Sequence, residues 1–316
     1  MRHTAYQALR QNAAVIDLTG RGHLQITGED RARLLHAMTT SHIQELTPGQ
    51  CRYTLFLNAQ GKILGDANVI VTPTSILLDT EPETAGALFE HIDRYIIADD
   101  AAIVNATAQV AVIALEGPES AKVLDQMGIE APAPDTWVEW RTWLVAGLSV
   151  SGEPGARFFV PVAERENVYN WIFGACANEA GRPEWNVVRL EHGLPRYGDD
   201  ITSREIPHET RLVERAVSFS KGCYLGQEIV ERVRSRGHVN RVLASLVILG
   251  HKAPPAHTKL FMDDKEIGEI TSAEFSPMVG AVVALGYVRA EVLHAKTPFS
   301  FEGGTAAIAG SFTAAK

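Results

Sequence analysis

This 316-residue chain has few cysteines and lacks two kinds of apolar segment. It contains only Cys51, Cys176 and Cys223, and no two of them form a C-x-x-C pair. A disulfide framework is therefore not expected, no metal site is predicted, and a reducing cytoplasm is the expected location. Residues 1–7 contain no apolar segment of a secretory signal. No uninterrupted apolar run approaches the ~18 residues of a membrane-spanning helix, so no association with a membrane is expected.

The chain also lacks an excess of positive charge. The chain contains 29 Lys and Arg and 38 Asp and Glu, which gives a net charge of −9. This balance argues against strong, general nucleic-acid binding, because such binding needs a basic surface that releases counterions. Hydrophobic residues make up 46% and charged residues 21%, as in ordinary globular proteins. The length predicts two or three domains.

An internal repeat organises the first half of the chain. Ile26 to Met38 can be laid against Leu115 to Met127, because each segment runs from a strand through a glycine into a helix. Counted from the glycine, both have Ala at +4, apolar residues at +6 and +7, and Met at +10. The repeat predicts two related α+β subdomains, residues 1–109 and 110–185.

The second half of the chain contains two segments whose sequence patterns differ from the first half and from each other. Residues 186–238 are polar and rich in loops, which in a compact protein indicates a functional segment, and we expect them to pack back on the first two subdomains. Residues 239–316 contain short apolar runs separated by Gly, Pro and Asp turns, without a helical period. This pattern predicts a small antiparallel barrel or sandwich.

Cys223 is the candidate functional thiol. The composition of the segment after it favours a helix, and a thiol in the first turn of a helix is favoured as thiolate by the helix dipole and by a nearby cation such as Lys221. The alternative is a small buried hydrophobic residue, which is the interpretation for Cys51 and Cys176. His238 is a possible base for a thiol hydrolase or transferase, but the spacing does not require that role.

Lys221 to Glu228 reads Lys-Gly-Cys-Tyr-Leu-Gly-Gln-Glu, and it resembles the hallmark of the YgfZ family. That resemblance implies a folate-binding accessory protein for assembly or repair of [4Fe–4S] clusters in client enzymes, including tRNA-modifying ones. It makes Cys223 and Lys221 the candidate reactive residues and Gln227 a candidate folate contact. The predicted partners are a folate and the iron–sulfur clients or their assembly proteins.

A second resemblance covers most of the chain. Arg189 to Gly198 is similar to the Arg-Leu-Glu-x-Gly…Tyr-Gly stretch of the glycine cleavage T-protein family. In that family the glutamate contacts the pterin ring of tetrahydrofolate, and a carboxylate can accept paired hydrogen bonds from such a ring. The resemblance therefore implies that Glu191 contacts the pterin ring and that Arg189 and Tyr197 are further folate contacts. It implies a fold of two ferredoxin-like subdomains and a C-terminal antiparallel β-barrel around a central channel.

Cys51 to Asp66 resembles a T-protein stretch that ends in two aspartates, one of which assists chemistry at the folate nitrogens. Here Gly65-Asp66 replaces the pair. Asp66 is the remaining candidate for acid–base chemistry, and Tyr53 is a candidate folate contact. Because one aspartate is missing, we expect no appreciable aminomethyl transfer. A tetrahydrofolate-dependent aminomethyltransferase or demethylase is therefore the alternative to the accessory function.

Overall fold

The computed structural model describes residues 1–295 and 297–309. The helices are α1 (His3–Gln11), α2 (Arg31–Met38), α3 (Ala85–Asp93), α4 (Ser120–Gln126), α5 (Arg165–Cys176), α6 (Arg182–Glu191), α7 (Val213–Ala216) and α8 (Gln227–Arg236). The strands of the two sheets are β1 (Ala14–Asp17), β2 (Gly22–Thr27), β3 (Cys51–Leu57), β4 (Ile63–Val71), β5 (Ile76–Thr80), β6 (Ala102–Asn105), β7 (Val110–Glu116), β8 (Trp137–Trp140), β9 (Trp143–Ala146) and β10 (Gly155–Pro161). The strands after them are β11 (Arg241–Ile248), β12 (Lys259–Met262), β13 (Lys265–Ser276), β14 (Ala281–Arg289), β15 (Phe299–Phe301) and β16 (Gly304–Ile308).

The first sheet has the order β3-β4-β5-β2-β6. One of its faces is apolar and packs against α2 and α3, with Leu24, Val69 and Leu88 in that core. The opposite face carries polar residues where β4 and β5 pair, including Asp66, Asn68 and Asp79. Because side chains alternate along a strand, one strand supplies both the core and this polar face.

The second sheet has the order β1-β7-β10-β9-β8. Strand β1 pairs with β7, with Ala14 opposite Glu116. Residues 14–17 therefore lie in the second sheet, although the sequence pattern placed them with the first subdomain. One face of this sheet packs on α4 and α5, and the other packs on α1 and α6.

The internal repeat is visible in the backbone. Gly28 and Gly117 each follow a strand and precede a helix, with φ of 95° and 132°. A Cβ at Gly28 would lie 2.1 Å from the Asp100 carbonyl oxygen, and one at Gly117 would lie 2.4 Å from that of Asn12. Both positions require glycine, because a neighbouring chain segment crosses close to the turn.

The C-terminal strands form a closed barrel in the order β11-β14-β13-β12-β15-β16, and β16 pairs with β11. The predicted α+β architecture with a C-terminal antiparallel barrel is thus confirmed, and the barrel rather than the sandwich is correct. Among the described helices, none is both long and apolar enough to cross a lipid bilayer.

Helix α6 was not predicted, because the sequence pattern placed loops from residue 186 onward. The helix is buried on several sides: Val187 and Val188 pack on the second sheet, whereas Leu190 packs on the barrel. Its charged residues Arg189 and Glu191 are also buried. It therefore lacks the solvent-facing polar stripe that identifies an amphipathic helix in a sequence.

Candidate functional site

The polar face of the first sheet and one face of the second enclose a central cavity. Arg157 of β10 donates a 2.5 Å hydrogen bond to Asp79 of β5 across this space. The Trp137 indole also donates to the Val71 carbonyl, at 2.8 Å. The residues that line the cavity are Arg21, Tyr53, Asp66, Ala67, Asn68, Asp79, Glu81, Ser149, Val150, Arg157, Trp185, Arg189, Leu194, Pro195, Arg196 and Arg215.

A second cavity adjoins this one; the smaller of the two is named the inner cavity and the larger the outer cavity. The inner cavity measures about 60 Å³, and the outer cavity measures about 450 Å³. Ser149, Leu194 and Arg215 line both. The outer volume lies in the range typical of small-molecule sites, whereas the inner cavity has room only for one edge of a ligand.

Asp66 is a buried carboxyl at the inner cavity. The Tyr53 hydroxyl donates a hydrogen bond to its Oδ2 at 2.7 Å. Burial, followed by the charge of Glu81, raises the pKa of Asp66 to about 6, although the Tyr53 hydrogen bond opposes that shift. The group can therefore exchange a proton near neutral pH.

Position 65 lies on the face of β4 that is opposite to the cavity. A Cβ built on Gly65 would lie 3.1 Å from Leu88 Cδ1, in the core between the first sheet and α3. An aspartate side chain at position 65 would therefore start into that core and not into the cavity. The absence of an aspartate at position 65 is therefore no argument against aminomethyl transfer, because a side chain at this position would not line the cavity.

Asp79 is the centre of the inner polar network. Its Oδ1 accepts from Arg21 Nε at 2.6 Å, and its Oδ2 accepts from Arg157 and from Asn68 Nδ2, the latter at 3.2 Å. The two guanidinium groups hold the pKa of Asp79 well below its ordinary value, against the effect of its burial. Glu81 extends the network, because it bonds Arg21 at 2.6 Å and pairs with Arg196 at 2.8 Å.

Within the described residues, three side-chain atoms of residues that line the inner cavity are buried without a hydrogen-bond partner, namely Asn68 Oδ1, Arg157 Nε and Arg196 Nη1. Buried polar atoms are nearly always paired in native proteins. The carboxyl of Asp66 and the neighbouring amide and guanidinium groups that line the inner cavity fit a polar, nitrogen-rich ring such as that of a folate. The aromatic walls at Tyr53 and Trp185 fit its planar shape.

Arg189 reaches the cavity, but its charge is already paired. Its guanidinium donates to Asp200 at 2.6 Å and to the Leu194 carbonyl at 2.9 Å. Tyr197 packs at the edge of a cluster around Tyr53 and is half buried. These contacts position the turn after α6, and the roles of Arg189 and Tyr197 as folate contacts stay predictions.

Glu191 does not line the central cavity. Its Oε1 accepts hydrogen bonds from the Tyr6 hydroxyl of α1 and the Ser276 hydroxyl of β13, each at 2.6 Å. Burial raises the pKa of Glu191. Its Oε2 lies 3.4 Å from Arg10 Nε, and Arg10 also pairs with Glu153, which lines the outer cavity. Glu191 therefore joins α1, α6 and the barrel, and it reaches the cavity only through Arg10; its pterin role stays a prediction.

Cys223 is exposed, whereas Cys51 is buried and Cys176 is partly buried. It precedes α8 rather than lying in its first turn, because the chain turns at Gly226 with φ of 84° before the helix starts at Gln227. Gln227 itself is half buried and lines neither cavity.

Lys221 is buried next to the thiol-bearing turn. Its Nζ donates to the carbonyls of His36, Thr39 and Ser41 at 2.6, 2.5 and 2.9 Å, at and beyond the C-terminal end of α2. Burial lowers the pKa of Lys221 to about 7, although a helix C-terminus favours a cation. The side chain thus anchors the turn to α2, and whether it also favours the Cys223 thiolate stays a prediction.

The inner network contains residues that the sequence analysis did not find, namely Arg21, Asn68, Asp79, Glu81 and Arg157. The local signal was the presence of polar residues inside largely apolar strands, namely Asn68, Asp79 and Arg157. Among the described residues, no group of three or more His, Cys, Asp and Glu has the arrangement of a metal site.

Comparisons with known proteins agree with this geometry. Residues 3–221 match the model of the GCVT N-terminal domain, and residues 241–309 match the glycine cleavage T-protein C-terminal barrel domain. The first match ends at Lys221, and the second begins with the barrel.

Similar curated proteins include aminomethyltransferases. That of Thermosynechococcus vestitus is 26% identical over 298 residues, which cover 92% of this chain and 80% of the relative. The aminomethyltransferase of Streptomyces avermitilis is 29% identical over 304 residues, which cover 90% of this chain and 80% of the relative. A putative chloroplastic transferase of Arabidopsis thaliana is 24% identical over 297 residues, which cover 90% of this chain and 67% of the relative.

A solved structure supports the fold. The glycine cleavage system aminomethyltransferase T of Bartonella henselae superposes with a TM-score of 0.90 at 21% identity, covering 98% of this chain and 88% of the other. With both domain models matched in order and over most of the chain, this protein belongs to the glycine cleavage T-protein family.

Proposed function

We propose that this protein binds a reduced folate in the central cavity and transfers a one-carbon unit on it, as a folate-dependent aminomethyltransferase or a related transferase. The observation that carries the proposal is the Asp66 carboxyl, which is buried at the cavity wall with a pKa of about 6. The folate supplies the nitrogens that carry the one-carbon unit. Asp66 takes or returns a proton at its carboxyl oxygen, and Tyr53 holds that carboxyl in place.

The charge of the cavity wall supports an anionic ligand. Five arginines line the inner cavity (Arg21, Arg157, Arg189, Arg196 and Arg215), against three carboxyl groups (Asp66, Asp79 and Glu81). Within the described part of the chain, the Arg215 guanidinium has no carboxylate within 4.0 Å and lies 4.4 Å from the centre of the Tyr53 ring. The other four arginines are paired with carboxylates, so Arg215 is the group that attracts anions such as the glutamate tail of a folate.

Binding and chemistry are tested separately. Tetrahydrofolate at 100 times its dissociation constant should add about 2.7 kcal/mol to the stability, seen as a higher melting temperature. Asp66→Asn should keep binding and abolish formation of methylene-tetrahydrofolate from an aminomethyl-lipoyl carrier protein. If millimolar tetrahydrofolate leaves the melting temperature unchanged, the folate site is wrong. If the wild type binds folate without turnover, the transferase function is wrong.

A second candidate is the accessory function for [4Fe–4S] enzymes that the YgfZ-type motif implies. The observation that favours it is the exposed thiol of Cys223 on an anchored turn, since Lys221 beside it makes three buried hydrogen bonds. A thiol that serves only packing is usually buried. The partners would be client enzymes or their assembly proteins in the reducing cytoplasm.

Two variants distinguish the candidates. In a cell that depends on this protein, Cys223→Ser should lower the activity of [4Fe–4S] enzymes if the accessory function is correct, and Asp66→Asn should lower one-carbon transfer if the transferase function is correct. A Cys223→Ser protein that fully restores those enzymes would rule out thiol-based action.

A further inference from the structure

Asp66 of β4 and Glu81, which directly follows β5, both line the inner cavity. Strands β4 and β5 are antiparallel, and the last pair of residues in their register is Ala67 with Thr80. Asp66 and Glu81 are the next residues along this register. Directly opposite side chains in an antiparallel ladder have Cβ atoms about 5 Å apart. Two carboxyl groups therefore face each other at the end of this ladder.

The two carboxyl groups have different partners, although both residues are buried, at 7% and 9% exposed. Glu81 bonds Arg21 at 2.6 Å and pairs with Arg196 at 2.8 Å. Asp66 accepts from the neutral Tyr53 hydroxyl at 2.7 Å, and within the described part of the chain no Lys or Arg nitrogen lies within 4.0 Å of its carboxylate. Two neighbouring carboxylates in a buried site disfavour the ionisation of one of them. The group without a cationic partner is the one that takes up the proton.

We infer that Glu81 is a positioning residue for the chemistry of Asp66, an inference that rests on the proposed function. Glu81 stays ionised between its two arginines, and its negative charge makes Asp66 the carboxyl group that carries a proton near neutral pH. A carboxyl group in this state can donate its proton to a nitrogen of a bound ligand and take it back afterwards. Glu81 thus acts on the reaction through Asp66.

The electrostatics of the pair agree with this division. Burial, followed by the charge of Glu81, raises the pKa of Asp66 to about 6. The pKa of Glu81 is lowered in spite of its burial, because Arg21 and Arg196 stabilise its charge. Carboxyl groups that share a buried site commonly separate in this way, with one ionised and the other protonated.

The other titratable groups around the pair keep one charge state between about pH 5 and 8. Burial, followed by the charge of Asp66, raises the pKa of Tyr53 well above its ordinary value and that of Tyr197 to about 12. Two guanidinium groups hold the pKa of Asp79 low against its burial, and burial lowers the pKa of the adjacent His23 to about 4. The surrounding arginines, which stay charged, are Arg21, Arg157, Arg196 and Arg215. A titration near pH 6 in this cavity therefore belongs to Asp66.

Carbon-13 NMR titration of the side-chain carboxyl groups in the ligand-free protein tests the inference. The signals are assigned by their loss in Asp66→Asn and Glu81→Gln. In the wild type, Glu81 should titrate first, below its ordinary pKa of 4.5, and Asp66 should titrate later, near pH 6.

Glu81→Gln removes the charge but keeps the size of the side chain and an oxygen acceptor for Arg21. The midpoint of the Asp66 titration should fall in this variant by at least about one pH unit. Glu83→Gln is the matched control, because Glu83 pairs with the same Arg196, at 3.0 Å, but does not line the inner cavity. It should leave the midpoint of Asp66 in place.

The pH–rate profile gives a second readout that a merely structural ion pair would not move. The step in one-carbon transfer that belongs to Asp66 should shift to lower pH in Glu81→Gln, by the same amount as the NMR midpoint. Glu81→Asp restores the negative charge and should return the step towards its wild-type position.

The outcomes separate the inference from the function on which it rests. An Asp66 midpoint near 3.8 in the wild type, a Glu81 that titrates after Asp66, an unchanged midpoint in Glu81→Gln or an equal shift in Glu83→Gln overturns the inference. A wild type that titrates as expected but shows no turnover contradicts only the proposed function. If Glu81→Gln fails to fold, as judged by circular dichroism, the order of titration in the wild type decides alone, with Glu81 assigned through Glu81→Asp.

Discussion

Gly65 packs directly against Leu88, on the side of β4 that faces away from the cavity. Gly65→Asp should therefore destabilise the protein by about 3 kcal/mol or more, because it places a carboxylate in an apolar core. It should not increase one-carbon transfer. Chemical denaturation measures the loss, and Gly86→Asp is the control, since a Cβ there meets no atom within 4 Å. An increase in transfer activity would show that position 65 reaches the cavity.

Asp66 should make the stability depend on pH in an unusual direction. Its pKa is raised from 3.8 to about 6 in the folded protein, so ionisation opposes folding. The loss of stability begins as the pH rises above 3.8 and is complete above about 6. Asp66→Asn should thus be more stable than the wild type at pH 7.5, by up to about 3 kcal/mol, and nearly equal to it at pH 4. Thermal melts at both pH values measure this, and an equal difference at both would contradict the assigned titration.

Substitution of Glu191 should lower the stability of the fold more than it weakens folate binding. Glu191→Ala leaves the buried Tyr6 and Ser276 hydroxyls without their shared acceptor, which should cost about 2 kcal/mol or more. Glu191→Gln keeps an oxygen acceptor and should cost less. The folate-induced rise in melting temperature should persist in the Gln variant. Its disappearance there, with the fold intact, would support a direct pterin contact.

Cys223 should be the first thiol to react with an alkylating reagent at pH 7. Cys51 is 2% exposed and burial raises its pKa to about 12, while burial also raises the pKa of Cys176. Mass spectrometry of partially alkylated protein gives the order. Cys223→Ser should keep the melting temperature and folate binding, because the thiol is exposed. Faster labelling of Cys51 would mean that the first sheet opens in solution.

The architecture was predictable because its signals are local. The strand–glycine–helix repeat and the short apolar runs of the barrel are periodic patterns within a few residues of sequence. The resemblance made Asp66 on β4 a candidate site residue, and the structure places it at the wall of the inner cavity.

The network behind Asp66 was not predictable, because it is formed between distant segments. Asp79 and Arg157 are 78 positions apart and meet only when the two sheets face each other. Lys221 shows the same limit: Cys223 lies two residues away in the sequence, but the hydrogen-bond partners of Lys221 are carbonyls about 180 positions earlier. Local spacing does not encode such pairings.

The position of β1 in the second sheet has a consequence during synthesis. Its partner β7 lies roughly 100 residues further along the chain, as the pairing of Ala14 with Glu116 shows. At ribosomal rates of about 5–20 residues per second, β1 emerges several seconds before that partner exists. The whole first sheet is made in between. Strand β1 therefore lacks its partner β7 while the strands of the first sheet are synthesised, and during this interval its unpaired edges are open to strand-mediated aggregation.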